Sequence, residues 1–213
     1  MNLIELLSQL ALTGGDWVIY LLLLTSVASV YVMAERWFYL TVVSGRAQEI
    51  RKLAIERLDR GDVDALCQDL KKFRGPEARV LAFGLSAMAR GPANVQQRME
   101  SQLIKEKASL EANLALLATV GSNAPFVGLF GTVLGVIKAF HELSVQGAAS
   151  GGGAVMAGIS QALIASAVGI MVAIPALAAF NYFKNRVKTI VAGVESLNHL
   201  ALSYLVQSPG PRS

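Results

Sequence analysis

Charge is scarce in this sequence. Only 16% of its 213 residues are Asp, Glu, Lys or Arg, while 54% are hydrophobic; soluble domains carry about 25% charged residues. Residues 17–34, 112–137 and 154–183 contain no charged residue at all. There is one cysteine, Cys67, so no internal disulfide can form and a packed thiol is expected. The two histidines, His141 and His199, are far apart in the chain, and no Cys/His cluster, carboxylate pair or nucleophile elbow accompanies them. That excludes the usual metal centres and hydrolytic constellations, so neither an enzyme, a cofactor nor a metal is expected. Residues 1–16 lack Lys and Arg. A cleaved signal peptide would need a positive n-region there, so the first apolar run reads as an uncleaved span.

What is present fits a bilayer. A hydrocarbon core ~30 Å thick takes about 20 mainly apolar helical residues, and each charge-free run reaches that length once interfacial residues are added. The fold class expected is all-α, a polytopic membrane protein with three transmembrane helices. Two of these extend into the cytoplasm, where a helical region joins them. Lys and Arg gather between Arg36 and Lys107 and again at Lys184, Arg186 and Lys188, and none lies between 139 and 183. Basic residues are retained on the cytoplasmic side, so the excess is a topology signal and not a nucleic-acid footprint. The resulting map has a periplasmic amphipathic segment at 1–16, a first span at 17–40 and a cytoplasmic helical region at 41–111. A second span at 112–140, a periplasmic loop at 141–153 and a third span at 154–183 follow. A cytoplasmic C-terminal helix and tail occupy 184–213. Leu3, Leu6, Leu7 and Leu10 at helical spacing suit a short helix lying at the outer interface.

Turn signals divide the charged region. Gly61-Asp62 separates helices at about 45–60 and 62–73, and Gly75-Pro76 and Gly91-Pro92 bracket a third at 77–90. Asn94, with Gln97 three residues on, is read as the start of a fourth. Val95, Met99, Leu103, Leu110, Leu114 and Leu117 then keep helical spacing past the last charge at Glu111. This predicts one continuous helix entering the membrane. The third span likewise continues through Val187, Ile190, Val194 and Leu197. Ala148 to Gly153 is read as a flexible outer loop and residues 208–211, Ser-Pro-Gly-Pro, as the start of a disordered tail.

The spans are rich in small residues. Gly121, Gly128 and Gly135 recur every seven residues, with Gly131 adding a GxxxG pair, and Gly158, Ala162, Ala165, Gly169, Ala173 and Ala176 follow helical spacing in the third span. In lipid such faces let helices approach closely, either within one chain or between copies. Polar residues sit beside them. Thr132 lies near Gly128 and Gly135, Ser166 near Ala162 and Gly169, Gln161 at the outer end of span three, and Ser122 and Asn123 at the inner end of span two. These suit a mildly polar lining, although a Ser or Thr can also bond its own preceding turn. Pro125 and Pro175 allow either a static kink or a hinge. No carboxylate lies in the apolar part of any span. If the chain handles protons, a partner must bring the titrating group.

The run from Ala118 through Gly121-Ser122-Asn123-Ala124-Pro125 to Gly135 resembles the second-span signature of the MotA/TolQ/ExbB family. Gly158-Ile159-Ser160-Gln161-Ala162-Leu163-Ile164-Ala165-Ser166-Ala167-Val168-Gly169, with Ala173-Ile174-Pro175-Ala176, resembles its third-span signature. The likeness is close over roughly 110–190, while 1–109 agree mainly in layout. The resemblance implies five copies ringed around two single-span ExbD/TolR-like partners carrying a proton-binding Asp. It implies a proton-motive-force-driven motor in the bacterial inner membrane that powers outer-membrane transport, envelope maintenance or gliding. It also implies Thr132 and Ser166 as pore-facing hydroxyls on the proton pathway, and Pro125 and Pro175 as the prolines tied to conformational change. One position departs: Gln161 stands where the family commonly has Glu, and Gln cannot titrate. A stand-alone channel or scaffold homo-oligomer is the competing reading, and membrane lipid is a partner in either case.

Overall fold

A computed structural model describes residues 14–146 and 148–207. Every regular element among them is helical. The order is α1 (Asp16–Ser44), α2 (Ala47–Asp59), α3 (Val63–Leu70), α4 (Pro76–Leu85), a 3-10 turn (Met88–Arg90), α5 (Pro92–Glu111), α6 (Leu114–Gln146) and α7 (Ala148–Gln207). The amphipathic segment and the tail expected from the sequence fall outside the described residues, apart from the last few positions of the former. Three helices are long and apolar enough to cross a membrane, as the charge-free runs predict.

The described residues divide into two compact units. One takes the residues up to Ala34 together with Asn113–Asn181, and the other takes Glu35–Ala112 and the residues from Tyr182 onward. The first, the membrane unit, has a small core of Val18, Leu22, Ala124, Leu134, Val172 and Ala173. The hydroxyls of Thr25 and Ser29 donate to the carbonyls of Leu22 and Thr25 (2.9 and 2.8 Å), so α1 needs no partner for them. The charged unit has a larger core, including Ile50, Leu66, Leu70, Leu81, Met99 and Leu197. It is laced by Arg57 with Asp69 and by Arg79 with Glu106.

Four local expectations change. The helix read as continuous across 94–121 is broken: α5 ends at Glu111, and Asn113 adopts φ 61° before α6 begins. Asn is one of the few residues other than Gly that enter the left-handed region readily. Leu110 and Leu114 are both buried on either side of the break, so the apolar rhythm continued through it. Helix α5 opens at Pro92, with Gly91 as N-cap, and the Asn94 amide donates back to the Arg90 carbonyl at 2.8 Å. The third charged helix is shorter than 77–90, closing at Leu85 ahead of the separate 3-10 turn. Finally, the stretch read as an outer loop is largely helical, since α6 runs to Gln146 and α7 starts at Ala148. Once the long downstream helix is nucleated, each added residue gains a ladder bond, which carries the helix back through the glycines.

Candidate functional site

The seam between α6 and α7 is built from the small residues. A Cβ placed on Gly128 would lie 2.7 Å from the Ala165 carbonyl oxygen, and one on Gly169 would lie 2.6 Å from the Ala124 carbonyl oxygen. Such approaches to backbone leave no space for any side chain. Gly135 meets Ala162, Gly158 meets Ala139, and Gly131 meets both Ala165 and Val18 of α1. Gly121 faces the Leu177 backbone, 2.9 Å from where its Cβ would stand. Gly121 is one turn before Pro125, and Leu177 is two residues after Pro175. The two prolines therefore flank one close crossing. Proline removes the bond to the carbonyl four residues back, which here frees those of Gly121 and Met171, yet both helices run on.

Thr132 and Ser166 border this seam, one turn beyond Gly128 and directly beside Ala165, and both are half-buried in the single chain. The Thr132 hydroxyl donates to the Leu129 carbonyl at 2.6 Å. Its proton is committed, but its oxygen lone pairs remain free to accept. Ser122 also donates to Ala118 (2.8 Å), but its oxygen accepts from the Asn123 amide at 3.3 Å; that amide donates to Thr119 as well (2.9 Å) and leaves its own carbonyl open. The lining that this chain can offer is thus weighted towards acceptors.

Gln161 does something the sequence did not announce. Its amide Nε2 donates to Asp16 Oδ1 at 2.5 Å, across 145 residues of chain. The pair opens on a cavity of about 270 Å³, whose polar groups are Asp16, Lys138, Glu142 and Gln161. Asp16 is the residue that sequence reasoning missed. It was assigned to the outer segment, and nothing in its neighbourhood along the chain points to α7. The only local signal is an acid in the first turn of a helix, where the dipole favours it.

Much of the membrane unit remains uncovered. The most apolar window of each spanning helix is only 22–28% buried within the chain. Phe126, Leu129, Val133, Leu163, Met171 and Ile174 are among the exposed large side chains, far more than a water-facing surface would carry.

Three apolar helices with a glycine seam, hydroxyls along it and no carboxylate in their charge-free runs define a polytopic membrane protein. The chain belongs to the MotA/TolQ/ExbB proton channel family, which it matches over residues 72–196, more than half its length. It is 39% identical to the biopolymer transport protein ExbB of Xanthomonas campestris pv. campestris over 49% of this chain and 41% of that protein. To the Tol-Pal system protein TolQ of Pseudomonas aeruginosa it is 45% identical over 46% of this chain and 42% of that one. A protein of Synechocystis sp. named ExbB-like 1 is 35% identical over 79% of this chain and 67% of its own length. The match thus spans less than half the length of the first two relatives.

Proposed function

We propose that this chain is a ring-forming subunit of a bacterial inner-membrane motor driven by the proton-motive force, acting with a single-span partner of the ExbD/TolR type. The observation that carries the reading is the acceptor-rich, carboxylate-free lining. A protonated carboxyl needs an acceptor, and an ionised one needs donors. Thr132, with its proton already given to Leu129, matches the neutral form of a partner's Asp. Ser166, on the facing helix, is the second hydroxyl of that pathway.

Protonation then removes the cost of holding the partner's charge at membrane depth, and ring and partner can shift relative to each other. Each proton descending 100 mV supplies ~2.3 kcal/mol. Pro125 and Pro175, on either side of the Gly121–Leu177 crossing, are the hinge in this scheme. Gln161 does not titrate; it holds the outer carboxylate of Asp16. The distribution of basic residues supports a topology with the charged unit in the cytoplasm and the amino terminus in the periplasm. The relatives' names, biopolymer transport and Tol-Pal, point to work on the cell envelope, with gliding a further use of the same device.

The test is the gently extracted complex. A ring of this chain enclosing a small single-span protein is expected, and Thr132→Ala should abolish proton-driven output without changing the mass of the complex. Wild-type output from Thr132→Ala would defeat the reading. An empty homomer that conducts in liposomes would put a stand-alone channel in its place, and one that does not conduct would put a scaffold homo-oligomer there.

A further inference from the structure

The charged unit holds a cavity of about 450 Å³ that the proton pathway does not use. Three of its lining residues are cations, Arg46, Lys72 and Arg74, and none is an acid. Two further lining features favour an anion. Arg46 is the N-cap of α2 and Gly75 the N-cap of α4, and neither helix has a side-chain cap. Unpaired N–H groups at a helix start carry partial positive charge. Arg46 is only loosely committed, while Lys72 is paired with Asp69 at 2.7 Å. Arg46 stands 3.9 Å from Glu49 with both side chains exposed, and Lys72 shares Asp69 with Arg57. Behind Gly75, Glu77 is buried, and that burial pushes its carboxyl up towards the neutral form.

The position of this cavity along α1 identifies the anion. Charge first returns to α1 at Glu35 and Arg36, but Arg36 is only 5% exposed and donates to the Ser109 carbonyl, with Glu35 paired to it. The surface of the helix therefore stays apolar beyond them, through Trp37, Phe38 and Val42, which are 54%, 70% and 77% exposed. From Asp16 to Val43 the helix rises about 40 Å, the depth of a bilayer with its headgroups, ≈ 40–45 Å. Val42 and Thr41 themselves line the cavity.

We propose that this cavity binds the phosphate headgroup of an anionic phospholipid, with Arg46, Lys72 and Arg74 holding the phosphate and Phe38 and Val42 lying against the acyl chains. The uncapped start of α2 adds backbone donors. Charge complementarity selects an anion, and continuity with the apolar face of α1 selects a lipid over a free phosphate.

Trp37 reports on the site, being one turn from Thr41, whose hydroxyl donates to its carbonyl. The sequence has one other tryptophan, Trp17, so the Trp17→Phe complex isolates the signal. That complex, in bilayers of matched acyl chains, is titrated with brominated phosphatidylglycerol or brominated phosphatidylcholine, and Trp37 quenching is read. Preference for the anionic lipid is expected, falling about thirty-fold in Arg46→Gln/Arg74→Gln, roughly five-fold per cation removed. Arg51→Gln/Lys52→Gln, exposed cations outside the cavity, should leave the preference intact. Equal quenching by the two lipids, or an equal loss in the control pair, overturns the proposal. Complete displacement by millimolar glycerol phosphate would make this a free-phosphate site and would overturn it too.

Discussion

In the membrane unit, α6 and α7 meet through residues with almost no side chain, so that Gly128 and Gly169 stand against each other's backbones. In the charged unit, Leu66, Leu70, Leu81 and Met99 fill the space between helices, and the ion pairs of Arg57 and Arg79 lie at its edge. The difference follows the solvent. Water rewards burial of a large apolar side chain, whereas lipid tails are as apolar as leucine and reward only close packing. Polar groups divide in the same way. Hydroxyls in the membrane unit bond their own helix, as at Thr25, Ser29, Ser122 and Thr132, while the charged unit joins helices distant in sequence by charge.

The sharpest way to break this comparison is to give the membrane seam a side chain. Gly169→Leu is expected to cost at least about 3 kcal/mol, the upper part of the overpacking range, because the opposing atoms are the Ala124 carbonyl and the Gly128 backbone. Complex recovered after extraction should fall to near zero. Gly193→Ala on the same helix, with nothing within 4 Å of the new Cβ, should be neutral or slightly stabilising by helix propensity. Equal behaviour of the two variants would mean that the seam does not hold the unit.

A smaller effect is expected in the charged unit. Arg79 donates twice to the Glu106 carboxylate, at 2.8 and 2.5 Å, and the Glu106 side chain is 7% exposed. Arg79→Met leaves that acid with the Gln102 amide, a 2.9 Å bond. We expect a loss of about 2 kcal/mol, below the ~3–5 kcal/mol for fully buried pairs, because Arg79 itself is 40% exposed. Thermal denaturation of the complex, with proteolysis sites mapped to α4 and α5, measures it.

The smallest effect concerns Glu77. Burial raises its carboxyl above the usual value, and Oε2 has no hydrogen-bond partner. The folded form therefore holds its proton more tightly than the unfolded chain does. The stability this contributes is full below the unfolded value and is lost as pH rises through the raised folded value. At neutral pH, Glu77→Gln should melt higher than the wild type, and the gap should close on acidification below the unfolded carboxylate value. A gap that widens in acid would show that the carboxylate is stabilised in its ionised form.

Much of this was legible along the chain. The spans and the charged helical region follow from charge-free length and turn residues, which are local properties that add up over a window. The break at Ala112–Asn113 was not legible, because Leu110 and Leu114 are buried on either side of it and mimic an uninterrupted face. Gly121, Gly128, Gly131, Gly135, Gly158 and Gly169 announce close packing by their spacing, but not which residue each would meet.

Composition and hydrophobic run length alone determined that this is a three-span helical membrane protein whose charge-free runs hold no carboxylate, since bilayer thickness and desolvation act on each segment separately. Only the tertiary structure decided that Gly128 faces Ala165 and Ser166, that Gln161 holds Asp16, and that Arg46 and Arg74 line one cavity. Those pairings join residues far apart in the chain, and they depend on how whole helices cross rather than on any local preference.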